Sequence, residues 1–485
     1  MSNGPGGGWA AEEMARADLG DKRLKDRLIS ICDRFSESPE SPINQACEDW
    51  AETKAAYRFF NNQDVEPDAI LEAHRRKTAE RIKPHKTVLA IQDTSYFIYT
   101  PHTETKGLGT ISRKKGKNVE NILSKGLVMH TCLGVTTDGL PLGLLDQKVF
   151  ARKLRTAERR RLDKSNLTPI EEKESFRWLE SLEKTKAITG GTRVVTVCDR
   201  EADMYGLFEL SHRLQSPLLV RAKVDRPINK KSRYAEKDAV KLWNFMNDSP
   251  VSGTLTMEIP KRKATAHAKE RNARTAILTV KFGAFLLNPS RNDIKHRTTD
   301  LPDIPLNAVY AYEADPPENE EPVEWMLLTD LHISNFQEAC EKVRWYCLRW
   351  RIEMFFKVLK SGFRVEDCRL ATADRLMRYL SVMSVVAWRL FMITLISRTD
   401  PDAPCTTLLS DLEWKVLFQK INKGKPLPKK APTTGDIVVW IARLGGFLAR
   451  KSDGMPGTLT LWRGWKRLTD LTEGWELALK AQICG

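Results

Sequence analysis

Between Arg344 and Lys360 the chain reads Arg-Trp-Tyr-Cys-Leu-Arg-Trp-Arg-Ile-Glu-Met-Phe-Phe-Lys-Val-Leu-Lys, with neither Gly nor Pro. Its apolar residues recur at helical spacing, so the stretch predicts an α-helix. At roughly 100° per residue, Tyr346, Arg349, Glu353 and Lys360 fall within about 60° of one another. Leu348, Ile352, Phe355, Phe356 and Leu359 fill the neighbouring stripe. Such a helix has to bury its stripe while presenting one carboxylate among an Arg, a Lys and a phenol. Two readings are open: a salt-bridged solvent face, or one wall of a shared site. Which holds depends on what the rest of the chain brings to Glu353.

At 485 residues the chain has room for two or three domains and a large core. A formal charge of +15 points to a polyanionic partner, most economically nucleic acid. Charged residues make up 29% of the chain, so the excess belongs to a folded basic protein and not to a basic tail. Nine scattered Cys without a CxxC pair suit reduced thiols and a cytoplasmic location. Eight scattered His offer no zinc spacing. The opening Met-Ser-Asn-Gly-Pro-Gly-Gly-Gly lacks an apolar signal-peptide core and predicts a flexible tail. Leu380–Ile396 is the most membrane-like run, but Arg389 interrupts it and it is short for a span. It predicts a buried helix, with no membrane association.

In chain order, residues 9–75 read as helical, with Lys22, Arg23, Lys25 and Arg27 beside an apolar stripe and a second helix around Ala46–Asn61. A small basic helical unit can offer a face to a DNA groove; a solvated helical face is the equal alternative. The pattern then changes. Thr87-Val-Leu-Ala-Ile-Gln predicts a buried strand ending at Asp93. A Gly- and Lys-rich segment, Lys106 to Lys117, precedes two strands joined by the turn Thr137-Asp-Gly139, a hairpin. Arg152–Lys186 reads as charged and mostly helical, with a helix at Glu171–Glu183. Arg193-Val-Val-Thr-Val-Cys predicts another buried strand, ending at Asp199 in Asp-Arg-Glu-Ala-Asp203, and Pro217–Lys223 predicts one more. This order makes an α/β layer with a mixed sheet. Open α/β sheets place their sites at carboxyl strand ends, where Asp93 and Asp199 fall.

Residues 224–340 break the alternation with amphipathic β-like runs and a basic segment, Pro260–Arg274, and read as a β-rich insertion. The basic segment suits a DNA-facing loop better than a solvated excursion. Beyond Lys360 the chain is helical again, over Arg375–Arg398, Thr407–Ile421, Gly435–Arg450 and Leu461–Gln482. The last of these carries Trp462, Trp465, Leu468 and Leu479 on or near one face, a pattern of core or subunit contact.

Three carboxylates therefore stand out: Asp93, Asp199 and Glu353. Hard divalent cations take oxygen ligands and often only a few carboxylates besides phosphate and water. Two such ions can drive phosphodiester chemistry, with nearby Arg and Lys holding the phosphates. A single Asp after a strand is more simply a turn or cap residue; three in these places, in a basic chain, shift the balance.

Asp93 in Ile-Gln-Asp-Thr-Ser, Asp199 in Cys-Asp-Arg-Glu-Ala-Asp, and the series Tyr346, Arg349, Glu353, Lys360 resemble the DDE triad and YREK signature of the insertion-sequence-four transposases. The resemblance runs from Leu19-Gly-Asp to Ile441-Ala-Arg-Leu-Gly-Gly-Phe447, nearly the whole chain. It implies an α/β, ribonuclease-H-like catalytic core over 76–375, with its β-rich insertion at about 224–340. It further implies an N-terminal helical domain over 1–75 that binds transposon ends and a C-terminal helical dimerisation domain over 376–485. The implied activity is cut-and-paste transposition. The ends are nicked, the freed 3′-hydroxyl forms a hairpin, the hairpin is opened, and the 3′-ends join target DNA. The implied cofactor is Mg2+ or Mn2+, two per site, held by Asp93, Asp199 and Glu353. The implied partners are double-stranded DNA, both terminal repeat and target, and a second copy in a paired-end homodimer. Tyr346, Arg349, Lys357 and Lys360 would grip the cleaved strand. Trp325 matches a Trp that stacks on an extruded base, worth about 1–3 kcal/mol; read alone it is equally a strand-core Trp. Arg58, Arg221, Lys223 and Arg369 match DNA contacts. Phe356, Leu359, Ala371 and Arg375 depart from the family pattern, which bears on the end sequence recognised more than on the chemistry. The rival readings are a catalytically silent DNA-binding regulator derived from a transposase, against which the intact triad argues, and a hydrolytic nuclease, which would not need the Tyr-Arg-Lys grip.

Overall fold

The computed structural model describes residues 8–114, 122–152, 168–229, 240–261, 270–289, 301–318, 320–423, 425–450, 453 and 455–483. These fall into two compact units. The first comprises 1–84, 94–153 and 351–485, and the second 85–93 and 154–350. These units do not coincide with the three segments expected from the sequence, which divide the chain by role.

The first unit opens with five helices: α1 (Trp9–Glu13), α2 (Lys22–Glu37), α3 (Ile43–Ala46), α4 (Trp50–Asn61) and α5 (Pro67–Ile82). The Asp21 and Asp49 side chains accept backbone N–H groups at the starts of α2 and α4, satisfying donors a helix leaves open. Pro67 opens α5, where its missing N–H costs nothing. α2 buries Leu28, Ile31, Cys32 and Phe35, one face at helical spacing. Strand β1 (Thr87–Ile98) passes from the second unit into the first after Asp93. β2 (Gly109–Lys114) pairs antiparallel with β3 (Ile122–Thr136), and β3 with β4 (Pro141–Phe150). β3 and β4 form the expected hairpin, with Gly139 at φ +100° in its turn.

One buried carboxylate ties this unit together. Glu13 accepts from both terminal nitrogens of Arg81, at 2.9 Å each, and from His74 Nδ1 at 2.5 Å. His74 Nε2 accepts the Leu144 N–H at 2.8 Å, which fixes the neutral Nδ1–H tautomer. The Arg81 guanidinium lies 4.2 Å from the centre of the Trp388 ring. Trp388 sits on a helix, Ala373–Thr399, that is long and apolar enough to cross a membrane. It is 83% buried over its most apolar window, as the buried-helix expectation for Leu380–Ile396 requires. Further helices at Asp411–Asn422, Thr434–Leu444 and Thr458–Ile483 close around a core that includes Trp414, Leu417, Ile437, Ile441 and Leu468. The expected Gly435–Arg450 helix ends early, at Leu444.

The second unit holds the α/β alternation. The start of β1 runs parallel to β5 (Arg193–Cys198), and β5 parallel to β6 (Leu218–Arg221). Helices Phe176–Thr189 and Tyr205–Leu214 accompany them; the first begins later than the expected Glu171. After β6 comes a short ribbon, β7 (Pro227–Ile228) with β8 (Val240–Lys241). The expected β-rich insertion follows as an antiparallel run. β9 (Gly253–Ile259) pairs with β10 (Arg274–Leu287), β10 with β11 (Ile304–Glu313), β11 with β12 (Glu324–Thr329), and β12 returns to β6. The sheet of this unit is thus parallel at one end and antiparallel at the other. Residues 262–269 of the basic segment, 115–117 of the Gly- and Lys-rich segment and 153–167 of the charged helical segment lie outside the described residues.

The Arg344–Lys360 stretch is not one helix. An α-helix over Phe336–Cys347 ends in i→i+3 bonds, from Leu348 N–H to Trp345 O at 3.1 Å and from Arg349 N–H to Tyr346 O at 3.0 Å. A second helix covers Trp350–Lys357, and a π-helical turn follows over Val358–Gly362. That turn is closed by an i→i+5 bond from Phe363 N–H to Val358 O at 2.8 Å. The single-face geometry expected of a straight helix therefore does not apply. Nothing in the local composition breaks the helix; its break falls where Arg349 makes a long-range ion pair.

Candidate active site and nucleic-acid contacts

In the second unit the backbone sets two carboxylates side by side. Val88, Leu89, Ala90 and Ile91 are fully buried and pair in parallel register with β5, ending at Ile91 opposite Val197. Asp93 and Asp199 each lie two residues beyond that pair. Strand side chains alternate, so both leave the same face as the Ile91 and Val197 side chains. Asp199 caps a short 3-10 turn, Arg200–Ala202, by accepting the Glu201 N–H at 2.8 Å. Capping is the ordinary role foreseen for a lone Asp after a strand; here the capping residue also stands at the end of the strand paired with that of Asp93.

Arg349 reaches this place from the break between the two helices. Its Nη1 donates to Asp93 Oδ2 at 3.0 Å, with both side chains about one-sixth exposed (15% and 16%). Tyr346, one turn earlier, is buried; its hydroxyl is hydrogen-bonded to Arg221. Burial pushes the Tyr346 phenol up, the guanidiniums of Arg349 and Arg221 oppose that, and the Asp199 charge adds to it. Burial likewise weakens the hold of Arg221 on its proton, and Arg200 and Arg349 act in the same direction. Arg221 Nη2 also donates to Glu324 O at 2.8 Å, at the start of β12. The next residue, Trp325, meets Tyr346 edge to face at 5.6 Å between ring centres. Asp93, Asp199, Arg349, Tyr346, Arg221 and Trp325 thus form one neighbourhood. Lys223 lies just beyond, exposed.

The remaining expected residues belong to the first unit. Glu353 is half-buried on the Trp350–Lys357 helix, and Lys357, that helix's last residue, is exposed. Lys360 is half-buried in the π-helical turn, with its ammonium 5.1 Å from the Phe97 ring centre. Burial lowers its pKa and the Glu366 carboxylate pulls it back up. Arg58 is exposed on α4 and Arg369 is exposed before the Ala373–Thr399 helix. Phe356 and Leu359, departures from the family pattern, are buried core residues. Among the described residues, no group of three or more His, Cys, Asp or Glu side chains is gathered to hold a metal ion.

One residue that the sequence offered without a role is Asp203, last of the Asp199–Asp203 motif. Its side chain is fully buried, accepts Lys223 N–H at 2.6 Å and Val224 N–H at 3.1 Å, and is ion-paired with Arg226. It pins the chain leaving β6, where Arg221 and Lys223 sit. An Asp four residues past a strand-end Asp was the available signal.

Comparison with known proteins identifies the two ends of the chain. The family model for transposase DNA-binding matches residues 7–65, and that for the transposase Tn5 dimerisation domain matches residues 385–482. Among solved structures, a piggyBac transposase synaptic complex with hairpin DNA aligns at 9% identity, over 86% of this chain and 81% of that one. Its TM-score is 0.27. The two matches put a transposase DNA-binding domain and a Tn5 transposase dimerisation domain at the two ends of the chain.

Proposed function

We propose that the protein is a cut-and-paste DNA transposase of the DDE type, with a ribonuclease-H-like core and Asp93, Asp199 and Glu353 as its catalytic carboxylates. The observation that supports this most is the register of β1 and β5, two residues short of Asp93 and Asp199. Two carboxylates on one face at adjacent strand ends offer the hard oxygen donors Mg2+ or Mn2+ prefers. Their chemistry fits the metal, and Glu353 would be the third donor. When bound, the metal would supply Lewis acidity for phosphodiester cleavage and transfer.

The chain's own residues orient and hold. Arg349 fixes the rotamer of Asp93 through its ion pair and brings positive charge to the place where a phosphate would lie. Tyr346 and Arg221, hydrogen-bonded to each other, present a phenol and a guanidinium to the strand being cut. Trp325, packed on Tyr346, would stack on a base turned out of the duplex as the 3′-hydroxyl closes a hairpin. Lys357, Lys360, Arg58, Lys223 and Arg369 would contact phosphates. Opening of the hairpin would free the 3′-ends to join target DNA, within a homodimer that pairs two ends.

Incubation with matched terminal-repeat DNA and Mg2+ tests the reading. Hairpin and joined products support it, with chelation abolishing both. Simple degradation would indicate a nuclease, and binding without cleavage a silent regulator. If Glu353→Ala cut at the wild-type rate, that residue's assignment would fail.

A further inference from the structure

Within the first unit, the end of β1 is held by the turn that follows Lys360. Glu366 Oε1 accepts the Ile98 N–H at 2.6 Å, and the buried Tyr99 donates its hydroxyl to Val365 O at 3.2 Å. The turn has a defined shape. The π-helical bond from Phe363 to Val358 brings the chain round, and Arg364 adopts a left-handed backbone at φ +52°. Such a conformation is uncommon for a residue with a side chain and persists where surrounding contacts over-determine it. A 3-10 turn, Val365–Asp367, then presents Glu366 to the strand.

Lys360 lies in this same small region. Its ammonium sits over Phe97, fully buried and adjacent to Ile98. Burial disfavours its charge, and Glu366 is the carboxylate that opposes that effect.

We propose that Glu366 is the positioning residue for Lys360: by accepting the Ile98 N–H it anchors the strand end that carries Phe97, and its charge holds the ammonium over that ring. Glu366 need not touch DNA. The proposal rests on the reading of Lys360 as a strand contact, and its test separates the two.

Glu366→Gln keeps an acceptor for Ile98 N–H and removes the charge; Glu366→Ala removes both. The first readout needs no DNA. The full-length protein is treated briefly with an amine-selective acylating reagent, and labelling of Lys360 is compared with that of exposed Lys357 by mass spectrometry. Lys360 labelling rises several-fold in Glu366→Gln and further in Glu366→Ala, with Lys357 unchanged. Equal Lys360 labelling in all three proteins overturns the proposal, and the thermal midpoint confirms that Glu366→Gln is folded. The second readout is cleavage of terminal-repeat DNA. Glu366→Ala slows cleavage about tenfold, the size seen when an outer supporting partner is lost, while affinity for the DNA holds. Combined with Lys360→Met, it adds nothing to the effect of Lys360→Met alone. Multiplying effects would overturn the proposal, because two residues acting through one ammonium cannot be independent. Raised labelling with unchanged cleavage in Lys360→Met would sink the strand-contact reading and leave the anchoring intact.

Discussion

Two arginine–carboxylate sites in this protein use the same chemistry for different ends. At Glu13, both carboxylate oxygens are engaged by Arg81, His74 joins them, and the side chain is 8% exposed. At Asp93, Arg349 donates from a break between helices to a partly exposed carboxylate on the same strand-end face as Asp199. The first site cross-links α1, α5 and the hairpin into one unit. The second has a like-charged neighbour at the adjacent strand end. Residue type does not separate the two ion pairs; the company of a second carboxylate at the neighbouring strand end does.

The sharpest way to break that contrast is to remove each carboxylate. Asp93→Ala should lower end cleavage on the order of 10⁴-fold, the scale of a catalytic carboxylate's removal, with the thermal midpoint little changed. Arg349→Gln should cost on the order of 100-fold in cleavage, typical of one charge-stabilising donor, with DNA affinity measured alongside. Glu13→Ala should do the reverse. Loss of one member of a buried pair costs about 3–5 kcal/mol of stability, read by denaturant unfolding, while cleavage per folded molecule stays near wild type. Comparable stability losses at both sites would remove the distinction.

Acid sharpens it further. Burial alone would raise the Glu13 pKa, but His74 and Arg81 outweigh it and hold the group at about 2. A lowered carboxylate pKa stabilises the fold above its unfolded value and loses that contribution as pH falls from about 4.5 towards 2. Burial lowers the His74 pKa, with Glu13 opposing; the unfolded chain therefore takes up that proton first, and stability begins to fall below about 6.5. Both groups act in the same direction. Unfolding midpoints should decline in two stages on acidification, and Glu13→Gln should flatten the lower one. The smallest effect concerns Trp325→Ala. It should slow hairpin formation by the worth of one stacked base, about 1–3 kcal/mol, and leave the first nick alone.

The sequence made some of this visible and hid the rest for physical reasons. β1 and β5 are legible because a strand buried on both faces must be a near-continuous apolar run, as Val88–Ile91 is and as Val194–Val197 is but for Thr196. The hairpin follows from Thr137-Asp-Gly139. Asp93, Asp199 and Glu353 stand out by their places at strand ends and on a helix and Tyr346 by helical spacing, whereas Arg221 and Trp325 are marked only by motif resemblance; in the second unit the structure brings Asp93, Arg349, Tyr346, Arg221 and Trp325 together. The break at Leu348–Arg349 was not legible. Helix propensity is a weak local preference, and a tertiary ion pair 256 positions away along the chain overrides it. The buried Glu13–His74–Arg81 network was hidden for the same reason: its members are 61 and 68 positions apart, and each reads singly as an ordinary helical residue.

The π-helical turn makes spacing itself a property of this protein. A π turn holds one residue more than the α turn it replaces. Deleting a single residue between Val358 and Gly362 would let the wide turn close to an ordinary α turn with the downstream chain near its present direction, whereas the same deletion within Trp350–Lys357 would swing that chain by roughly 100° about the axis. Lys360 and the Glu366 turn would then face elsewhere with every side chain still present. Libraries built from substitutions never sample that axis of change. Single-residue deletions and insertions across 350–357, set against the same changes in 358–362, would, and they offer a way to re-aim Lys360 and the Glu366 turn without altering either side chain.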